Sequence, residues 1–281
     1  MDALLTNVID AHAAHLKFLN RRPSSVTQRV LALRRLEGFA HPCLLLEVDG
    51  DTLSRFTRQR KLGVEARAGA VSHLRGFYKW ALDEDLIDAD PSVRLRRPKR
   101  ERRLPRPMPD GAAARALSEA PEPIRAWLYL AAYAGLRACE IAQLRGQDIL
   151  LYQEPPIIII RESKGGDTSV VPIAEVLRPI VAELARRDGW CFEKGRGGDG
   201  HVTASQLQKR ANTFLHELGI PETLHQLRHW FGTNAFRVTG RDLRATQELM
   251  RHRSPVSTAG YTFVDMGESA RALDQLPRLT V

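Results

Sequence analysis

The sequence predicts a mainly helical chain with one small β-hairpin or sheet (α+β), arranged as an N-terminal helical module and a larger, mostly helical second part. Three observations carry this. Apolar residues recur at helical spacing through the first ninety residues. A proline-broken basic stretch then interrupts the pattern. Beyond it, one run of four isoleucines and a glycine-bearing turn provide the only β signal among further helical segments.

In the first part, Leu5, Ile9, His12, Leu16 and Leu19 form an amphipathic stripe that ends at Arg21-Arg22-Pro23. Ser25 and Gln28 predict a capping box for a second helix, striped by Val26, Val30 and Leu33. Asp51 or Thr52 starts a short third helix ending near Gly63. A longer fourth carries Val71, Leu74, Tyr78 and Ala81 on one side. The polar faces of this four-helix module carry Arg55, Arg58, Arg60, Lys61, Arg67 and Arg75, either a solvated face or a surface for a polyanion. Asp90-Pro91 stops the pattern. Arg94 to Pro109 is basic and rich in proline, so it reads as an extended linker between residues 1–93 and 110–281.

In the second part, Asp110 predicts the cap of a helix running to Ala120. Ile124 to Ala134 is almost wholly apolar, as in a buried helix. Gly135 ends it, and Arg137 to Leu144 begins the next. Arg137 therefore stands near a helix start, where free N–H groups favour an anion. Ile157 to Ile160 is a strand, Lys164-Gly-Gly-Asp167 a turn, and Thr168 to Val171 the returning strand. Helices follow over 174–187, 204–218, 224–236 and 242–250, with a short one near 257–261 and a polar one over 267–276. The loop 194–200 has neither the lysine-serine pair of a phosphate-binding loop nor a strand-to-helix setting.

The 281 residues are 43% hydrophobic and carry a formal charge of +9. That charge suits a polyanionic partner but does not identify one. Three isolated cysteines, Cys43, Cys139 and Cys191, offer no disulfide framework or paired-cysteine metal site, and point to a reducing compartment, the cytoplasm. The first residues lack the pattern of a secretory signal, and no apolar run reaches the length of a membrane span, so no membrane partner is expected.

Chemistry concentrates between His225 and Tyr261. His225 and Arg228 are three apart and share a helical face. His252 and Tyr261 follow, and Arg137 and Lys164 lie upstream. Transfer of a phosphodiester needs cations on the non-bridging oxygens, a deprotonated nucleophile and a proton for the leaving oxygen. Two arginines, two imidazoles, a lysine and a phenol supply those types. Glu140 either pairs with Arg137 or holds its guanidinium for the reaction. Each residue alone has a plain structural reading. His225 and His229 also have a zinc spacing, but Gln226 stands where a zinc protease has glutamate, and no third ligand is evident, so no metal is expected.

Four segments in order, YAGLRACEIAQLR around Arg137, RESKGGDTSVVPI around Lys164, HQLRHWFGTNAF around His225 and Arg228, and RHRSPVSTAGYT around His252 and Tyr261, resemble the tyrosine recombinases of the phage integrase family. The resemblance implies a core-binding domain before the basic linker and a recombinase catalytic domain after it. It implies that Arg137, Arg228 and His252 hold the scissile phosphate of double-stranded DNA, with Glu140 orienting Arg137. Lys164 would be the general acid, His225 the base and Tyr261 the nucleophile forming a 3′-phosphotyrosyl link. It implies no metal and no cofactor. It further implies a homotetramer on core-type attachment sites, a directionality or host accessory protein, and docking of residues 270–276 on a neighbouring protomer. Two positions depart from the family pattern: Ala134 replaces a threonine, and Arg251 replaces the glycine before His252. Arginine tolerates a glycine backbone less well, though it could add a phosphate contact. An integrase of a phage or mobile element leads; a Xer-like enzyme resolving chromosome dimers, a silent DNA-binding regulator and a type IB topoisomerase remain alternatives.

Overall fold

The computed structural model describes residues 8–59, 62–99, 105–161, 168–195, 200–252, 254–259 and 261. Lys164, the turn around it, Arg60, Lys61 and the C-terminal helix expected over 267–276 lie outside these residues. The chain divides into two compact units, 1–102 and 103–281.

Unit 1 contains α1 (Val8–Phe18), α2 (Pro23–Ala40), α3 (Gly50–Thr57) and α4 (Val64–Asp83). Leu33, Leu36, Leu53, Leu74, Phe77 and Tyr78 form the middle of its core. Tyr78 satisfies its buried hydroxyl by donating to the Leu45 carbonyl at 2.8 Å. Helix starts differ from the expectation. Pro23, preset for a first helical turn, opens α2 after Arg22, so Ser25 and Gln28 lie inside it and form no cap. Asp49 caps α3, accepting from the Thr52 amide at 2.7 Å, and the helix ends at Thr57 rather than near Gly63.

Unit 2 begins with α5 (Asp110–Glu119), α6 (Ile124–Tyr133) and α7 (Ala138–Ala142). Asp110 does not cap α5; its carboxylate accepts a hydrogen bond from the Trp230 indole at 2.5 Å. Strands β1 (Ile149–Leu150), β2 (Ile157–Ile160) and β3 (Ser169–Pro172) form an antiparallel sheet in the order β1-β2-β3, with Ile160 opposite Ser169. The two-residue β1 has no pattern of its own, which is why periodicity overlooked it. Then come α8 (Arg178–Ala185), α9 (Ala204–Glu217), α10 (Leu224–Val238), α11 (Leu243–Met250) and α12 (Pro255–Thr258). The apolar α6 runs through the centre, with Trp127, Leu128, Leu130 and Ala131 at most 1% exposed. The expected linker is anchored at both ends: Leu95 belongs to the first core and Met108 to the second. Among the described residues, no helix is long and apolar enough to cross a membrane.

Candidate active site

The site forms where α7, α10, α11 and α12 bring their ends and faces together. Arg137 precedes α7, and its backbone amide and Nη1 donate to the two carboxylate oxygens of Glu140, at 2.8 and 2.6 Å. Glu140 thus satisfies a free amide at a helix start and aims a guanidinium at once. Its side chain is fully buried and Arg137's is 19% exposed. Burial pushes the Glu140 carboxyl up, but Arg251 and Arg137 outweigh it and hold the group below its ordinary value.

Arg251 is the unexpected member. It ends α11 in the left-handed region, φ 51° and ψ 46°, a conformation that favours glycine. This backbone turns the side chain inward, to 4% exposure. Its guanidinium donates to the carbonyls of Ala134, Gly135 and Leu249 and, at 2.9 Å, to Glu140. It is therefore a buried strut and not a phosphate contact, which corrects that sequence-based option. Glu140 lies between two guanidiniums.

Arg228 lies on α10 with 2% exposure. Its Nη2 donates to the Met250 carbonyl at 2.6 Å, while its buried Nη1 has no partner among the described residues. Burial, Arg137 and Arg251 pull it down to about 9, which leaves it cationic at neutral pH. A buried guanidinium N–H beside a second guanidinium can donate to an anion's oxygen. His225, one turn earlier on α10, is exposed, and its ring stands edge-on to His229 at 4.6 Å. Partial desolvation, Arg228 and Arg137 lower its pKa.

His252 follows Arg251 and is held through its backbone: its amide donates to Gln247 O at 3.0 Å, and its carbonyl accepts from Gln247 Nε2 at 2.8 Å. Its Nδ1 lies 2.9 Å from the hydroxyl of the fully buried Thr258 on α12. Burial, then Arg228 and Arg137, bring it down to about 3, so it is neutral at physiological pH.

Tyr261 is 2% exposed, and its ring is parallel to that of His252, 6.3 Å away. It lies over Gly232 of α10, where a Cβ would stand 2.7 Å from the phenolic oxygen. That oxygen is 3.1 Å from His229 Nδ1. Burial pushes the phenol up to about 12 against the pull of Arg228 and Arg137.

Five of the six expected catalytic residues, Arg137, His225, Arg228, His252 and Tyr261, thus share one site with Glu140. Lys164 belongs between β2 and β3 but lies outside the described residues. Sequence reasoning missed the inward role of Arg251 and the contact of His229 with the phenol. The i,i+3 spacing of His229 and Gly232 was the available signal: it puts an imidazole beside a gap in one helix face. Among the described residues no group of histidine, cysteine and carboxylate side chains is arranged to hold a metal, and no third ligand joins His225 and His229.

Comparison with known proteins places the chain in one family. Residues 112–268 match the sequence model of the Phage integrase family. The chain is 32% identical to tyrosine recombinase XerC of Pseudomonas syringae pv. syringae, over 81% of this chain and 80% of that one. It is 28% identical to XerC of Neisseria meningitidis serogroup B, over 98% of this chain and 94% of the other. In three dimensions it resembles a lambda integrase dimer bound to a COC′ core site, with a TM-score of 0.73 at 14% identity, covering 99% of this chain and 80% of that one.

Proposed function

Because the chain belongs to the phage integrase family, we propose that it is a site-specific recombinase that cuts and rejoins duplex DNA through a 3′-phosphotyrosyl intermediate. One observation carries the reading: the Tyr261 hydroxyl is held by an imidazole in the same site as two arginines, one of which has a buried N–H without a partner among the described residues. Such a site binds a phosphodiester and presents a nucleophile to it.

Arg137 and Arg228 clamp the non-bridging oxygens, and His252 donates to the same group through Nε2–H while Nδ1 accepts from Thr258. The negative charge that grows on those oxygens during attack meets guanidiniums already fixed by Glu140 and by the Met250 carbonyl, so little reorganisation is needed. Tyr261 attacks phosphorus as an imidazole takes its proton. Lys164, which lies between β2 and β3 in the sequence, protonates the departing 5′ oxygen. The phosphotyrosyl link conserves the energy of the broken bond, so a second DNA end rejoins without a nucleotide cofactor.

Residues 1–93 serve as the core-binding domain, 94–109 as a basic linker along the phosphate backbone, and 110–281 as the catalytic domain. Arg55, Arg58, Arg67 and Arg75 provide charge for the first of these. The enzyme acts as a homotetramer on core-type sites in a bacterial cytoplasm, with an accessory protein setting direction, and integrates phage or mobile-element DNA. A Xer-like role in resolving chromosome dimers is the second reading, favoured by the nearly end-to-end match to the XerC of N. meningitidis.

The test uses duplexes that the protein itself selects from a random-sequence pool, rebuilt with a nick beside the cleavage point so that the adduct is trapped. The native chain leaves a detergent-resistant protein–DNA adduct and Tyr261→Phe leaves none. Retention of the adduct by Tyr261→Phe would overturn the reading.

A further inference from the structure

The resemblance makes His225 the acceptor of the phenol proton, but the geometry points to a different imidazole. We infer that His229 takes the Tyr261 proton through Nδ1. The inference rests on the recombinase reading and assigns a step within it.

Three independent features support it. The first is contact: among the described residues, His229 Nδ1 is the side-chain atom hydrogen-bonded to the Tyr261 oxygen, at 3.1 Å. His225 forms no such bond; its ring packs edge-on against His229 and is exposed to solvent. The second is shape. Gly232 follows His229 by three positions, so both face the same side of α10. A side chain at Gly232 would occupy the place of the phenol, its Cβ 2.7 Å from the oxygen. The helix therefore carries a recess for the tyrosine head with His229 at its edge. The third is protonation. Burial, His225 and Arg228 bring His229 down to about 4, so its ring is neutral at physiological pH and has one nitrogen lone pair free. With the proton on Nε2, that lone pair is on Nδ1 and faces the phenol.

The step balances as follows. The Tyr261 O–H bond breaks, and its proton moves to Nδ1. The phenolic oxygen bonds to phosphorus as the bond from phosphorus to O5′ breaks, and O5′ takes a proton from the separate acid. Rejoining runs in reverse: imidazolium at His229 returns its proton to the departing phenolate. Before DNA binds, a phenol near 12 beside an imidazole near 4 keeps its proton. An arriving phosphodiester adds negative charge beside the imidazole and raises its proton affinity. The base is thus weak in the free protein and strengthened by its substrate.

A buried tyrosine hydroxyl also needs an acceptor merely to be satisfied, and the experiment separates the two roles. His229→Ala, His229→Gln and His225→Gln are compared with the native chain in single-turnover adduct formation on the nicked, self-selected duplex. A parallel substrate carries sulfur in place of the bridging 5′ oxygen, a leaving group that needs no general acid. Glutamine can accept the phenol's hydrogen bond but cannot take its proton. The expected result is that both His229 variants bind DNA as the native chain does. They form adduct about 100-fold more slowly or worse, and the sulfur substrate does not restore them. Lys164→Ala serves as the contrast, slow on oxygen and restored by sulfur. A near-native rate for His229→Gln would show that the hydrogen bond alone matters and would overturn the assignment. So would sulfur rescue of the His229 variants, or an unrescued loss found only in His225→Gln. A native chain that forms no adduct would instead overturn the recombinase reading, and this step with it.

Discussion

Replacing Glu140 by glutamine removes one charge and almost no volume. The carboxylate is fully buried between Arg137 at 2.6 Å and Arg251 at 2.9 Å, and Arg251 is itself 4% exposed. Without it, Arg251 keeps three carbonyl partners but loses its counter-charge, and an amide NH2 group must face a guanidinium. Breaking a buried pair in this way costs about 3–5 kcal/mol, a large part of a domain's total stability. Arg251→Met costs less, about 2 kcal/mol, because Glu140 keeps both bonds from Arg137. In the double variant the buried charge of Arg251 is removed together with its counter-charge. Its loss should therefore fall short of the two single losses combined by about 2 kcal/mol. Urea unfolding of the full chain, followed through the tryptophans, measures all four members of the cycle. The native chain should also lose stability as pH falls through the depressed folded pKa of Glu140, a loss that Glu140→Gln lacks. Additive losses, or a Glu140→Gln chain within about 1 kcal/mol of native, would refute the shared-carboxylate account.

His12 provides a pH test in the first unit. It is 1% exposed, packs on Phe77 and Trp80, and neither ring nitrogen has a partner among the described residues. Burial, then Arg29 and His15, lower it to about 4, so the unfolded chain takes up a proton first as pH falls below 6.5. Stability should drop by about 2 kcal/mol between pH 7 and 5, seen as lower amide protection factors in α1 once the intrinsic pH dependence of exchange is divided out, and His12→Leu should flatten that dependence. An unchanged exchange profile would contradict the burial of His12. Gly232→Ala places a methyl group in the tyrosine recess. Adduct formation should fall at least about 10-fold while DNA affinity stays within about 2-fold, and a native rate would show that Tyr261 reacts from elsewhere. Arg228→Lys keeps a charge but loses the fork that bonds Met250 and leaves an N–H for phosphate; cleavage should fall about 100-fold, measured in single turnover.

Much of this architecture was legible because burial leaves a periodic trace. The stripes of the first, second and fourth helices, the apolar α6 and the isoleucine strand all follow the packing of one face or a whole element. Ends were less legible, because caps depend on local geometry. Ser25 looked like a cap, but Pro23 had already begun the helix, and Asp110 gave its carboxylate to Trp230, 120 positions away in sequence. In the site, order and spacing selected Arg137, His225, Arg228, His252 and Tyr261, since each is tied to a recognisable local motif. Arg251 had looked like an awkward replacement for glycine. Only the left-handed backbone shows that its side chain turns inward to reach a carboxylate 111 residues earlier. His229 was overlooked for a related reason: the partner that gives it meaning is 32 residues away.

The direct test of the whole account is the chemistry of the covalent joint. The DNA-linked chain is digested with protease and nuclease, and the peptide that retains a nucleotide is sequenced by mass spectrometry. The phosphotyrosine site predicts one modified peptide, with the 3′ phosphate of the cut strand on Tyr261. A nucleotide on any other side chain, or a strand cut with no protein attached, would contradict it.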